Sequence, residues 1–111
     1  MEKFVEKTYL YDFYGDLLTP RQQRIYQEVV FEDYSLSEVA RDEGISRQGI
    51  HDMIKRCVNT MEEYEARLHL VERFLKIRTQ VDKILELTEE PEKEGSLKEI
   101  SLLAREILEE L

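Results

Sequence analysis

No glycine or proline occurs between Gly49 and Pro91, a stretch long enough to form more than one helix. In the second half of this stretch, successive apolar residues are separated alternately by four and three positions, which is the spacing of one face of a helix. They are Leu70, Phe74, Ile77, Val81 and Ile84. A single straight helix of this length would be unusual, so we expect a bend between about Arg67 and Leu70. No segment keeps the alternation of a strand, and the chain is predicted to be all-α.

Helix-start signals divide the rest of the chain. Thr19 and Ser35 are each followed three residues later by a Gln or Glu, the spacing of a capping box. Pro20 suits the first helical position after Thr19. Ser46 and Ser96 are expected to cap the helices that follow them. A helix with an aromatic inner face is predicted before these signals, over residues 3–18.

The C-terminal part of the chain has more apolar helix surface than a small head can cover. An acidic loop, TEEPEKEG, separates the first apolar stripe from a last helix with a broad apolar face. That face consists of Leu97, Ile100, Leu103, Ala104, Ile107, Leu108 and Leu111. We predict a helical head over residues 1–66 and a helical hairpin or oligomerisation segment over 67–111. An intramolecular hairpin and a homodimer both bury the stripes, and we favour the dimer because the head offers little surface. Its predicted interface consists of Phe74, Ile77, Val81 and Ile84.

Residues 36–56 have the spacing of a helix-turn-helix motif. Ala40 must be small because the second helix crosses close above it. Gly44, four residues later, can adopt the positive φ that the tight turn requires. Ile50 faces the core in the second helix, together with Met53. The fold class is therefore predicted to be a helix-turn-helix head with long C-terminal helices.

The second helix of this motif presents polar side chains on one side. Arg47, Gln48, His51 and Lys55 recur at helical spacing, and Arg and Gln are residue types that contact base edges. A cap at Ser46 leaves backbone N–H groups pointing outward, where a phosphate can bind. These five residues are the predicted DNA- or RNA-binding site. The alternative interpretation is a solvated helix face with no ligand.

The charge distribution opposes extensive non-specific binding of nucleic acid. The formal net charge is −9, and residues 61–111 hold eight basic and fourteen acidic residues, a net charge of −6. Residues 19–60, which include the motif, are near neutral at −1. Such a field repels phosphate rather than attracting it. The acidic surface suits a basic protein partner instead.

Residue patterns typical of enzymes and metal sites are missing from the sequence. Cys57 is the only cysteine and lies among apolar residues, which indicates a buried thiol and suits a reducing cytoplasm. His51 and His69 lie eighteen positions apart without Cys partners, so we predict no metal site. There is no Gly-rich phosphate loop, no signal peptide and no stretch apolar enough to insert in a membrane. We expect a cytoplasmic non-enzyme without a cofactor.

Four stretches together resemble the YlxM family of small Gram-positive bacterial proteins. They are LLTPRQ, SLSEVA, ISRQGIHDMIKR and MEEYEARL, within about residues 5–75. The resemblance implies a helix-turn-helix like region 4 of sigma-70-type transcription factors. Genes of that family usually neighbour those of the signal recognition particle GTPase and its receptor, which implies a regulatory or accessory role in that pathway. Gly49 and His51 stand where the family typically has Ala and Tyr.

Two functional interpretations follow. The first is a non-enzymatic helix-turn-helix regulator that binds DNA or RNA and takes part in the signal recognition particle pathway. The alternative is an adaptor for protein interaction or oligomerisation that binds no nucleic acid.

Overall fold

The computed structural model describes all 111 residues and contains six α-helices and no strand. The helices are α1 (Lys3–Tyr14), α2 (Pro20–Tyr26), α3 (Leu36–Glu43), α4 (Arg47–Leu68), α5 (Leu70–Thr88) and α6 (Ser96–Glu110). A short 3₁₀ turn follows α1, and a π-helical turn, Gln27–Phe31, continues α2. The predicted all-α fold is confirmed. The chain divides into two compact units, Met1–His69 and Leu70–Leu111.

The first unit, which we call the head, is built around α4. This helix contacts both α1 and α2 and packs against α3. The fully buried side chains of the head are Tyr14, Ile25, Tyr26, Val39, Ile50, Cys57 and Met61. Each large apolar side chain among them contributes about 1.5–3 kcal/mol when it is buried. The core therefore fixes α4 along most of its length.

Tyrosines of α1 and α2 make the polar contacts that accompany this core. The ring of Tyr11 stacks on that of Tyr26, with centroids 4.9 Å apart. The Tyr26 hydroxyl donates to the backbone oxygen of Lys7, and that of Tyr14 donates to Glu65 on α4. Burial raises the pKa of the Tyr26 phenol well above its usual range, so the hydroxyl keeps its proton and remains a donor.

Local capping signals place the helix starts of the head. Thr19 Oγ1 accepts a hydrogen bond from the backbone of Gln22, and the Gln22 side chain accepts one from the backbone of Thr19. This is the complete predicted capping box. Ser35 Oγ accepts from the backbone N–H of Glu38 at the start of α3. An aromatic inner face is predicted for residues 3–18, but the side chain of Phe4 in this stretch is exposed.

The long glycine-free stretch is interrupted where the bend was predicted. Helix α4 ends at Leu68 and α5 begins at Leu70. Between them His69 adopts the left-handed conformation with φ 56°, and its N–H bonds the carbonyl of Glu65. A non-glycine residue with positive φ is uncommon and ends a helix where it occurs. None of the six helices is both long and apolar enough to cross a lipid bilayer.

The second unit is a helical hairpin in which α5 and α6 run antiparallel. The Gln80 side chain donates from Nε2 to Glu106 Oε2 at 3.1 Å, and Lys76 forms an ion pair with Glu110. Residues 89–95 form the loop between the helices. The stripes of α5 and α6 thus meet within one chain, as the intramolecular alternative expects.

The predicted cap at Ser96 is wrong. Gly95 precedes α6 with φ 85°, and Ser96 lies inside the first turn of the helix. The Ser96 hydroxyl donates to the backbone oxygen of Glu90 across the loop, and the side chain is buried. A hydroxyl engaged with the loop cannot also accept from the N–H groups of the helix start.

Candidate nucleic-acid interface

Helices α3 and α4 are joined by the three-residue turn 44–46, the arrangement of a helix-turn-helix. Gly44 has φ 70° and ψ 29°, a left-handed conformation that non-glycine residues adopt at a cost. The Gly44 N–H donates to the carbonyl of Ala40, and Ala40 is only 5% exposed. Ile45 also donates to the Ala40 carbonyl. The turn is therefore closed by backbone bonds onto a small buried residue.

The start of α4 is capped by Ser46. Its Oγ accepts from the backbone N–H of Gly49 at 3.0 Å, and its carbonyl accepts from Ile50 at 3.1 Å. The backbone N–H groups of Arg47 and Gln48 come before the first helical hydrogen bond and point along the helix axis. This end of the helix carries a partial positive charge. An anionic group could bind at these two amides.

The predicted reading residues lie on one exposed side of the first three turns of α4. Arg47, Gln48, His51 and Lys55 are all exposed, whereas Ile50 in the same turns of the helix is fully buried. The structure thus brings the four side chains together on a single surface. This surface is called the reading face below.

Asp52 is a member of this region that the sequence pattern did not single out. Its Oδ1 accepts a hydrogen bond from Gln48 Nε2 at 2.9 Å and lies 3.7 Å from Nδ1 of His51. Spacing by four residues on a helix could have identified the Gln48–Asp52 pair. The carboxylate engages Gln48 and places a negative charge on the reading face, where it would repel a phosphate.

Glu43, the last residue of α3, is held by two arginines of α2. Arg21 Nε lies 3.1 Å from Glu43 Oε1, and Arg24 Nη2 lies 3.0 Å from the same oxygen. The hydrogen bond from Arg21, followed by that from Arg24, holds the pKa of Glu43 below its ordinary value. The ion pairs tie α2 to the end of α3, and they partly neutralise two cations of the head.

No group of three or more His, Cys, Asp or Glu side chains is placed to hold a metal ion. Cys57 is buried, and burial raises the pKa of its thiol. The thiol is therefore protonated in the core of the head.

A protein-family model described as "Putative helix-turn-helix protein, YlxM / p13 like" matches residues 1–100 of the chain. The chain belongs to this family, UPF0122. The predicted resemblance to YlxM proteins is confirmed, and the match extends beyond residues 5–75 into the hairpin. Within this UPF0122 chain, α3, the turn and α4 are the segment with helix-turn-helix geometry.

Curated UPF0122 proteins align over most or part of the chain. One from Thermoanaerobacter sp. (strain X514) is 42% identical over 112 residues, covering 97% of this chain and 96% of the relative. One from Geobacillus kaustophilus is 34% identical over 107 residues, 96% of each chain. One from Symbiobacterium thermophilum is 48% identical over 62 residues, 56% of this chain and 58% of the relative. The first two alignments include both the head and the hairpin.

Proposed function

We propose that this chain is a non-enzymatic, cytoplasmic regulatory protein that binds DNA or RNA through the reading face. The proposal rests on one observation, which is that a helix anchored in the core exposes the residues of that face. Buried Ile50 and Ile54 anchor α4 in the core of the head, while the cations Arg47 and Lys55 of the same helix remain exposed. A rigid helix with exposed cations at its start is the element that enters the major groove in helix-turn-helix proteins.

Each residue of the face has a distinct role in this proposal. Arg47 contacts a base edge, because its guanidinium can donate two parallel hydrogen bonds to guanine. Lys55 contacts a phosphate as a point charge. The amides at the start of α4, held in place by Ser46, bind a second phosphate. Gln48 reads adenine once it leaves Asp52, and His51 lines the same surface.

Exchanging Arg47 for alanine is expected to weaken specific binding by about 1–3 kcal/mol, because a base contact is lost. Lys55→Ala should lower the slope of log affinity against log salt by about one. Affinity is measured by fluorescence anisotropy over a salt series, with a duplex selected from a random-sequence pool. Lys98→Ala and Arg105→Ala in α6 are matched controls, since they remove the same charges from exposed positions.

If the controls weaken binding as much as Arg47→Ala and Lys55→Ala, the effect is long-range electrostatics and the reading face is not the site. If neither DNA nor RNA pools yield a bound sequence at low salt, the adaptor interpretation replaces this one.

The second candidate function is an accessory of the signal recognition particle that acts through protein contacts. The family resemblance suggests the pathway, and the net charge of −6 over residues 61–111 favours a basic protein partner. Recovery of partners from lysate with and without nuclease separates the two candidates. Nuclease-resistant recovery of signal recognition particle protein favours direct contact, whereas loss of all partners on nuclease treatment favours the reading face.

We further propose that the hairpin pairs two chains into a homodimer. Ile77 and Ile84 lie half-buried on the side of α5 that also carries Gln80, whose amide bonds α6. Phe74 and Val81 of the predicted interface are exposed, and so is Leu85. The dimer surface on α5 therefore differs in part from the stripe that the sequence suggested.

The exposed leucines of α6 extend this surface. At 3.6 residues per turn, Val81 and Leu85 lie about a quarter turn from the inner residues of α5. Leu97 and Leu108 lie about a quarter turn, in the same rotational sense, from the inner residues of α6. Because the helices run antiparallel, both quarter turns point to the same side of the hairpin. Leu97 is 75% and Leu108 71% exposed, so both helices present exposed apolar side chains on the same side of the hairpin.

A second copy covers this face in a two-fold arrangement that forms a four-helix bundle. The Glu-rich loop repels further chains and stops growth at the dimer. Sedimentation equilibrium is expected to give twice the 13.3 kDa chain mass for the wild type and for Leu102→Asp, which alters the far side of α6. Leu108→Asp should give the monomer mass with unchanged circular dichroism. A monomeric wild type at high micromolar concentration would refute the dimer.

A further inference from the structure

A groove of about 530 Å³ runs along the head beside α4, between that helix, α1, the start of α3 and the π-helical turn. Its floor is aliphatic and consists of Leu10, Val29, Leu36, Ile54 and Val58. Along α4 the lining extends from His51 to Glu62, which is about 16 Å at a rise of 1.5 Å per residue. The groove is therefore about as long as three turns of a helix.

The rim of this groove carries three lysines and two carboxylates, a small positive excess in a chain that is negative overall. Lys3 and Lys7 stand on the α1 side and Lys55 on the α4 side, against the two carboxylates Glu6 and Glu62. The chain as a whole carries −9. An excess of lysines around an aliphatic floor selects for acidic residues beside an aliphatic stripe.

We infer that this groove binds an amphipathic helix of a partner protein whose leucine-type face is flanked by acidic residues. The length of the groove fits anchors at i, i+4 and i+7 of such a helix, and the aliphatic floor fits their side chains. A nucleic-acid backbone would leave the half-buried aliphatic side chains Val29, Leu36 and Val58 without a complementary surface. The lysines on both walls pair with carboxylates on either side of the apolar stripe.

The groove and the reading face share two residues. His51 and Lys55 line the groove and also belong to the predicted nucleic-acid site. A helix seated in the groove would cover both side chains and remove the phosphate contact of Lys55. Binding of the partner helix therefore competes with binding of nucleic acid. This competition rests on the proposed function, whereas binding of the helix to the groove does not.

The test uses a synthetic amphipathic peptide and the full chain. The peptide is about sixteen residues long, so that it can form a helix, with leucines at i, i+4 and i+7, glutamates beside them and alanines elsewhere. Methyl NMR spectra are expected to shift at Leu10, Ile54 and Val58. A peptide with lysines in place of the glutamates should bind at least tenfold more weakly. Lys3→Glu with Lys7→Glu should abolish the preference for the acidic peptide, whereas Lys83→Glu with Lys93→Glu in the hairpin unit should keep it.

Shifts confined to residues outside the groove, or equal binding of the two peptides, would overturn the inference. It would also be overturned if a duplex, rather than the peptide, shifts the three floor methyl groups. With a bound duplex present, the acidic peptide is expected to displace it, and simultaneous binding would overturn the competition. Lys3 and Lys7 lie outside the reading face. If the chain binds no nucleic acid, the peptide experiment therefore still tests the groove by itself.

Discussion

Replacing Ile50 by alanine is expected to lower the free energy of unfolding of the head by about 2–5 kcal/mol. Ile50 is fully buried in the first turns of α4, the same turns that carry the exposed reading face. Truncation removes apolar contacts and leaves a cavity that the packed core cannot fully close. Urea denaturation followed by circular dichroism measures the loss, with the hairpin present in every variant.

Two matched variants make this result specific. Ile50→Val keeps most of the side chain and should cost only about 0.5–1.5 kcal/mol. Arg47→Ala removes a larger side chain three positions earlier, but it is exposed and should stay within about 0.5 kcal/mol of wild type. If Arg47→Ala proved the more damaging of the two alanine variants, the inner and outer faces of α4 would be exchanged and the reading face misplaced.

Valine at Gly44 is expected to destabilise the head by about 2 kcal/mol, the second large effect. Gly44 has φ 70°, and a Cβ built there would meet no atom within 4 Å. The cost therefore arises from backbone strain, since a β-branched residue is a genuine outlier in the left-handed region. For a unit the size of the head, the melting temperature should fall by roughly 10 °C.

The open space around Gly44 allows a clean control. Asparagine tolerates the left-handed conformation much better than other side chains, so Gly44→Asn should lose far less stability than Gly44→Val. Equal loss in both variants would point to a steric cause that the structure does not contain. A valine variant as stable as wild type would mean that the turn does not need a left-handed residue.

Several features of the fold depend on contacts that no local sequence pattern predicts. Ser96 has the sequence neighbours of a helix cap, yet it bonds the loop at Glu90, because the loop folds back over the start of α6. Phe4 shares the apolar spacing of α1 but lies beyond the edge of the core and is 57% exposed. Periodicity identifies the apolar side of a helix, but the extent of cover depends on which other elements reach it.

By itself the sequence determined where the helices of the head begin and turn, because capping and turn formation act between residues at most a few positions apart. Thr19, Ser46 and Gly44 each adopt the role that their neighbours in the chain specify. Only the tertiary structure decided that Glu43 would be held by Arg21, twenty-two positions away, and that lysines of α1 would face α4 across an aliphatic groove. Such pairs are brought together by burial of the whole core, and burial is non-directional, so the chain's local pattern does not specify them.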